Sequence, residues 1–248
     1  MRLAERFVRA YFDSVYNIAY DFTTARLKRF QKLQASCVDR LELADGGQVL
    51  CVGLGTGNEI KHILTKNREA CVTGIDYSKT ALKKAVQKAV SMGREIDVHL
   101  MDARQLDFPS GSFDRVVCIH VMDFLGNARD QEKATAEIMR VLKKGGEFVI
   151  TYPSGKEQKL GNSLLKDAFR GYVSEGKHPF VAFWKLAVQM VTALVYLPLL
   201  SRTKKSFYSR GKLEAMLGRT KGVDFQIEEY PVYQDLIAHG RKSDQGGD

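Results

Sequence analysis

The residues with the clearest chemical potential begin with a glycine-rich turn, GLGTG, at residues 53–57. The turn follows the apolar run 49–52 and precedes a segment with helical spacing, an order typical of nucleotide-binding turns. Asp76 ends the next apolar run, 19 residues after Gly57, where a carboxylate can accept both hydroxyls of a ribose. Position 58 is Asn, so the GxGxxG spacing of dinucleotide sites is absent. The pattern therefore favours a ligand with a ribose but no phosphate.

The elements that must position these residues alternate between strand and helix. Ser78 is a suitable N-cap for a helix that Gly93 would end. Nearly continuous apolar strands separated by helices predict a parallel sheet covered on both faces. The fold class predicted is α/β, with a Rossmann-like, seven-stranded, mostly parallel sheet. The predicted strands are 49–52, 71–76, 96–100, 113–119, 147–151, 225–232 and 236–240.

The chain is interpreted as one domain over residues 1–248. A helical cap, with arginines and lysines among its apolar residues, is predicted over 1–45, and the nucleotide-binding core over 47–152. The regular alternation of predicted strands and helices ends after Tyr152. We predict a helical, apolar insertion at 156–210, followed by the last helix and strands at 211–240.

Composition excludes several classes of protein. With 248 residues, 44% of them apolar, the chain can build a sizeable core and is not disordered. The 38 basic residues exceed the 29 acidic ones, which gives a net charge of +9. This charge alone suits nucleic acid, an anionic membrane surface, an acidic ligand or a solvated face, of which the solvated face is the commonest. No zinc spacing occurs, and no metal site is predicted. The cysteines are interpreted as buried, reduced thiols of a cytoplasmic protein: Cys37, Cys51, Cys71 and Cys118.

Four segments of the core, in order and spacing, resemble the class I S-adenosylmethionine-dependent methyltransferases. They are VLCVGLGTG, GIDYS, MDARQLDFPSGSFDRVV and EIMRVLKKGGEFVI, within residues 47–152. The resemblance is closest to the group that includes ubiquinone/menaquinone-biosynthesis and phospholipid N-methyltransferases. The sequence YFDSVYNIAYDFTTARLKRF also resembles the N-terminal segment of the quinone-pathway enzymes.

The resemblance implies S-adenosyl-L-methionine as the cofactor. It assigns Asp76 to the ribose hydroxyls and Asp102 to the adenine amino group, and it suggests that Tyr20 closes over the cofactor. His120 would face the sulfonium or the substrate. The cofactor-binding residues implied in this way are Tyr20, Gly53, Gly55, Thr56, Gly57, Asp76, Tyr77, Asp102, Ala103 and His120.

One position departs from the family pattern. The family usually has an acid two residues before the first glycine, where it helps to hold the cofactor's ammonium, and this chain has Cys51 there. A buried thiol carries no charge near neutral pH. Three interpretations stay open: the cofactor affinity is low, another group replaces the acid, or the chain is a non-catalytic binding protein that keeps the fold.

Methyl transfer needs a base only where the nucleophile carries a proton. Three side chains at the carboxyl ends of predicted strands four and five are candidates: His120, Asp123 and Tyr152. The sequence does not choose among them.

The insertion contains an apolar run at 179–200, interrupted by Lys185 and Gln189 and followed by basic residues up to Lys212. A membrane span there would separate the last two strands from their sheet. We favour a lid or membrane-resting helix that admits a lipophilic substrate, with the basic residues at anionic headgroups. A buried core helix or a dimer face is the alternative.

The expected partner is therefore a lipophilic small molecule, with possible peripheral contact to an anionic membrane. A quinone-type ring and a phospholipid amine are competing acceptors. The signature of the quinone-pathway enzymes is incomplete. Lys144 stands where Pro or Val is usual, and Tyr152 stands where an acid is usual. A soluble small molecule is a further alternative. No nucleic-acid partner is expected, since basic and aromatic residues are not interleaved, and the sequence leaves the oligomeric state open.

Overall fold

A computed structural model describes residues 13, 28–125, 127–154, 183–184, 187, 207–230 and 235–244. Within these residues the chain alternates strands with helices, as predicted. The strands are β1 (Gln48–Val52), β2 (Cys71–Asp76), β3 (Asp97–Leu100), β4 (Phe113–Cys118), β5 (Leu142–Tyr152), β6 (Val223–Tyr230) and β7 (Asp235–Lys242). The helices are α1 (Lys28–Asp39), α2 (Ile60–Lys66), α3 (Lys79–Ser91), α4 (Ala128–Val141) and α5 (Arg210–Leu217).

The described strands form one seven-stranded sheet in the order β3-β2-β1-β4-β5-β7-β6. The first five in this order run parallel to their neighbours, whereas β7 is antiparallel to both β5 and β6. The predicted α/β, mostly parallel, seven-stranded sheet is therefore confirmed.

Local sequence explains how α3 is set against β2. Ser78 Oγ accepts a hydrogen bond from the Ala81 N–H (3.1 Å), which caps the first turn. Gly93, at a φ of +71°, follows the C-cap Met92. Both predicted helix boundaries are confirmed, and the cap fixes the loop that follows Asp76.

Two apolar clusters hold the layers together, one on each face of the sheet. One cluster packs α4 and α5 against the sheet, with Phe148, Ile138 and Leu213 buried in it. The other packs α1, α2 and α3 against the opposite face through Leu33, Ile63 and other buried residues. Burial on both faces explains why the central strands lack a polar alternation.

The direction of the strands decides which residues meet. The parallel strands β1, β2, β4 and β5 all end at one edge of the sheet. Because β7 is antiparallel to β5, β7 starts at that same edge, where Leu236 pairs with Tyr152. Open α/β sheets bind their ligands at such a carboxyl edge.

One prediction about the cysteines is wrong. Cys37, Cys51 and Cys118 are buried, but Cys71 is exposed. Cys71 is the first residue of β2, so it lies at the amino end of the strand, where the covering helices leave it accessible.

Several predictions fall on residues that are not described. Most of the cap 1–45, including Tyr20, and most of the insertion 156–210 lie outside the described residues. Among the residues that are described, no helix combines the length and the apolar character needed to cross a bilayer.

Candidate functional site

The glycine-rich turn after β1 has the backbone that the sequence predicts. Gly53, Gly55 and Gly57 have φ values of +67°, +56° and +77°. A Cβ on Gly53 would lie 2.2 Å from Val121 Cγ2, so packing alone requires that glycine. A Cβ on Gly55 would meet no described atom nearer than 3.9 Å. The space over Gly55 is therefore open to a ligand that approaches the backbone.

Asp76 closes the turn from β2. Its Oδ2 accepts from the Gly55 N–H (2.8 Å), and its Oδ1 accepts from the Ser78 N–H (2.8 Å). Burial raises the pKa of Asp76, although the Ser78 and Gly55 hydrogen bonds act to lower it. Each carboxylate oxygen can accept a further hydrogen bond. Asp76 is thus held rigidly, with acceptor capacity left for the two hydroxyls of a ribose.

Asp102 follows β3 and is already engaged by a neighbour. Arg104 binds it in a bidentate manner, with Nε 3.0 Å from Oδ1 and Nη2 2.6 Å from Oδ2. Burial acts to raise the pKa of Asp102, but the Arg104 hydrogen bonds outweigh it and hold the pKa below its usual value. An adenine amino group would have to share Asp102 with Arg104. The role of Asp102 stays a prediction.

Three other predicted contact residues surround this region. Ala103 is buried and Tyr77 is half-buried. Thr56 is buried, and its hydroxyl accepts from Lys88 Nζ (3.0 Å). Thr56 therefore anchors the turn to α3.

His120 lies just past β4 in a strained backbone conformation. Its φ is +56°, and no other described non-glycine residue has a positive φ. Its N–H donates to Thr151 Oγ1 (2.8 Å), which ties it to β5. The Phe30 ring lies 5.2 Å from its ring, between centroids. A non-glycine residue in this region costs about 1–3 kcal/mol and persists where surrounding contacts impose it.

Two carboxylates flank the His120 ring. Nδ1 lies 3.1 Å from Asp123 Oδ2, and Nε2 lies 3.3 Å from Asp235 Oδ2. The Asp235 side chain is 1% exposed. Asp123 lies in the single 3₁₀ turn Met122–Phe124 that follows β4 in the described chain. The carboxyl edge thus carries a compact acid–imidazole–acid cluster.

Tyr152, the third candidate base, lies in the core. It is 0% exposed, its hydroxyl shares a 2.8 Å hydrogen bond with Thr135 Oγ1, and its ring stacks edge-on against Tyr208. Burial raises the pKa of its hydroxyl far above neutrality. This position disfavours Tyr152 as a base, because an enclosed phenol cannot reach a substrate proton.

Sequence reasoning missed Asp235, although a signal existed. The predicted strand 236–240 is antiparallel to β5, so the residue just before it must lie at the carboxyl edge. That residue is Asp235. The direction of this strand, together with its place in the sheet, puts Asp235 beside His120.

Comparison with known proteins identifies the family. The methyltransferase domain family matches residues 50–150. Phosphatidylethanolamine N-methyltransferase from Cereibacter sphaeroides is 35% identical over 165 residues, which cover 66% of this chain and 76% of that protein. The chain belongs to the class I S-adenosylmethionine-dependent methyltransferases.

Other relatives of this methyltransferase support the same family. The ubiquinone/menaquinone biosynthesis C-methyltransferase of Desulfotalea psychrophila is 35% identical over 112 residues, covering 44% of each chain. The chain thus spans less than half of that relative. The magnesium protoporphyrin IX methyltransferase of Synechocystis PCC 6803, solved with its cofactor bound, has the same fold at 15% identity. Its TM-score is 0.63, over 98% of this chain and 99% of that one.

The residues of the methyltransferase fit its cofactor, S-adenosylmethionine. The open space over Gly55 and the buried Asp76 carboxylate, already fixed by two backbone donors, suit a ribose that carries no phosphate. The cofactor supplies a methyl group on a sulfonium, so the protein has mainly to align the acceptor and exclude water. Among the described residues, no group of His, Cys, Asp and Glu is arranged to hold a metal ion.

Proposed function

We propose that this methyltransferase acts on a lipophilic small molecule near a membrane surface, and that the acceptor is a phospholipid amine. The observation that carries the choice is the pair of carboxylates, Asp123 and Asp235, around His120. Two aspartates flank one imidazole, so the cluster has one acidic group more than it has basic groups. Such a cluster attracts a cationic acceptor and repels a phenolate.

An amine acceptor also needs the proton chemistry that the cluster offers. The ammonium must lose a proton before its nitrogen lone pair can take the methyl group. The candidates to receive that proton are His120 and Asp123, whose Nδ1 and Oδ2 atoms lie 3.1 Å apart. Asp123 Oδ1 accepts no hydrogen bond from the described residues, so the cluster keeps an acceptor beside His120.

Exposed aromatic side chains support the lipophilic part of the proposal. Phe124, directly after Asp123, is 42% exposed. Phe183 and Trp184, within the apolar run 179–200, are 64% and 65% exposed. Aromatic residues that face solvent are suited to contact with acyl chains or a membrane interface. At these two positions the apolar run is not part of the core.

The acceptor can be identified with methyl-labelled cofactor. We expect incubation with a total lipid extract to label phosphatidylethanolamine and its monomethylated product, detected by mass spectrometry as added labelled methyl groups. A preparation of the His120→Asn variant controls for contaminating activity. Label confined to the quinone fraction would overturn the choice of an amine, and label confined to water-soluble compounds would overturn the lipophilic substrate.

The membrane contact has its own test. We expect the protein to sediment with anionic liposomes at low salt, and the double variant Lys204→Glu/Lys205→Glu to lose most of this binding. Each basic residue near an anionic surface contributes about 1 kcal/mol. The matched control is Lys83→Glu/Lys221→Glu, which changes the same charge at two exposed positions elsewhere. Equal loss in both double variants would mean that total charge alone drives sedimentation.

A further inference from the structure

The departure at Cys51 raises the question of which group receives the cofactor's ammonium. Cys51 is 0% exposed at the end of β1. Burial, and secondarily the neighbouring Glu59, raises the pKa of its thiol well above the usual value. Cys51 is therefore neutral and supplies no charge for an ammonium to pair with.

A buried acid lies close to the place where the acid is missing. Glu59 is two residues after Gly57, at the N-cap position of α2, and is 6% exposed. Its side chain makes no capping hydrogen bond to α2, so capping does not account for it. Glu59 acts electrostatically on the thiols of Cys51, the last residue but one of β1, and Cys118, the last residue of β4. It directly precedes α2, which follows β1 through the glycine-rich turn at the carboxyl edge of the sheet.

A second buried acceptor accompanies Glu59. Gln34, on α1, is 2% exposed, and its Nε2 donates to Glu59 Oε2 at 3.4 Å. Its Oε1 is buried and accepts no hydrogen bond from the described residues. Buried acceptors are rarely left without a donor. A carboxylate and an amide oxygen side by side match the several N–H donors of an ammonium group.

We propose that Glu59, assisted by Gln34, replaces the acid lost at Cys51 and holds the α-ammonium of S-adenosylmethionine. The acid that the family usually has on β1 is replaced here by an acid at the residue before α2. The proposal rests on the cofactor and is independent of the methyl acceptor, so failure of the phospholipid assay leaves it standing.

Proton release tests the proposal on the unaltered protein. Burial raises the pKa of Glu59 to about 8, with Asp76 raising it and Lys88 lowering it. Among the described residues, the Cys51 and Cys118 thiols also interact with it. At pH 7 the cofactor-free carboxyl is mostly protonated, and pairing with an ammonium ionises it. Binding of S-adenosylhomocysteine should therefore release close to one proton at pH 7, and far less at pH 9.

Calorimetry in buffers of different ionisation enthalpy measures that proton. The Glu59→Gln variant keeps the shape of the neutral acid and should release none. It should also bind S-adenosylhomocysteine about 10- to 100-fold more weakly, as expected for loss of a hydrogen bond to a charged group. Its affinity for 5′-methylthioadenosine, which lacks the amino-acid portion, should stay within about twofold.

A restoring variant distinguishes charge from shape. Adding Cys51→Asp to Glu59→Gln returns an acid to the family position and should recover most of the lost affinity for S-adenosylhomocysteine. Equal weakening of both ligands by Glu59→Gln would mean that Glu59 only supports the glycine-rich turn. Unchanged affinity of a folded Glu59→Gln protein for S-adenosylhomocysteine would overturn the proposal.

Discussion

Replacement of Asp76 by alanine is expected to weaken binding of S-adenosylhomocysteine by about 100-fold or more, since it removes two charge-assisted hydrogen bonds to the ribose. The loss has a second source within the protein. The Gly55 and Ser78 N–H groups both donate to Asp76, so the turn that borders the cofactor loses its anchor. Isothermal titration calorimetry measures the affinity, and thermal unfolding shows whether the fold persists.

Two further variants test the origin of this effect. Asp76→Asn keeps one acceptor oxygen and should lie between the unaltered protein and the alanine variant. Asp97→Ala removes a 68% exposed carboxylate at the first residue of the neighbouring strand β3 and should change nothing. A loss below about fivefold in a folded Asp76→Ala protein would contradict the assignment of Asp76 to the ribose.

His120→Asn is expected to lower kcat by about 100- to 1,000-fold, the range for loss of a general base. Asparagine is chosen because it tolerates the positive φ that His120 adopts, so the backbone keeps its course while the imidazole is lost. Affinity for S-adenosylhomocysteine should change by less than about threefold. The measurements are initial rates at saturating cofactor, together with calorimetry.

The control for His120→Asn is His99→Asn, at a more exposed imidazole on β3 that also pairs with an aspartate. It should leave kcat unchanged. Asp235→Asn should lower kcat without changing cofactor affinity, because Asp235 acts through His120 as a positioning residue. If His120→Asn retains more than a third of kcat, the cluster does not take the acceptor's proton.

Much of the fold could be predicted because its signals are local. A buried parallel strand, a serine cap and a glycine after a helix each depend on a few adjacent residues, and β2, Ser78 and Gly93 are where the sequence indicates. The error at Cys71 is of another kind. An apolar run predicts a strand, but it does not tell which end of that strand the covering helices reach.

The site is only partly predictable for a physical reason. The residues of the glycine-rich turn and Asp76 lie within one βαβ unit, so their spacing carries the information. Asp235 lies 115 residues after His120, and only the antiparallel insertion of β7 brings the two together. Arg104 was missed because its bond to Asp102 depends on side-chain direction.

The position of β7 in the sheet also has a consequence for folding. β7 is the final described strand, yet it lies inside the sheet and separates β5 from β6. Asp235 is the first residue of β7, and its carboxylate reaches His120 because β7 pairs with β5. Non-local pairings of this kind slow folding, because loop-closure entropy must be overcome before the contacts form. The cluster around His120 is therefore complete only once β7 has paired with β5.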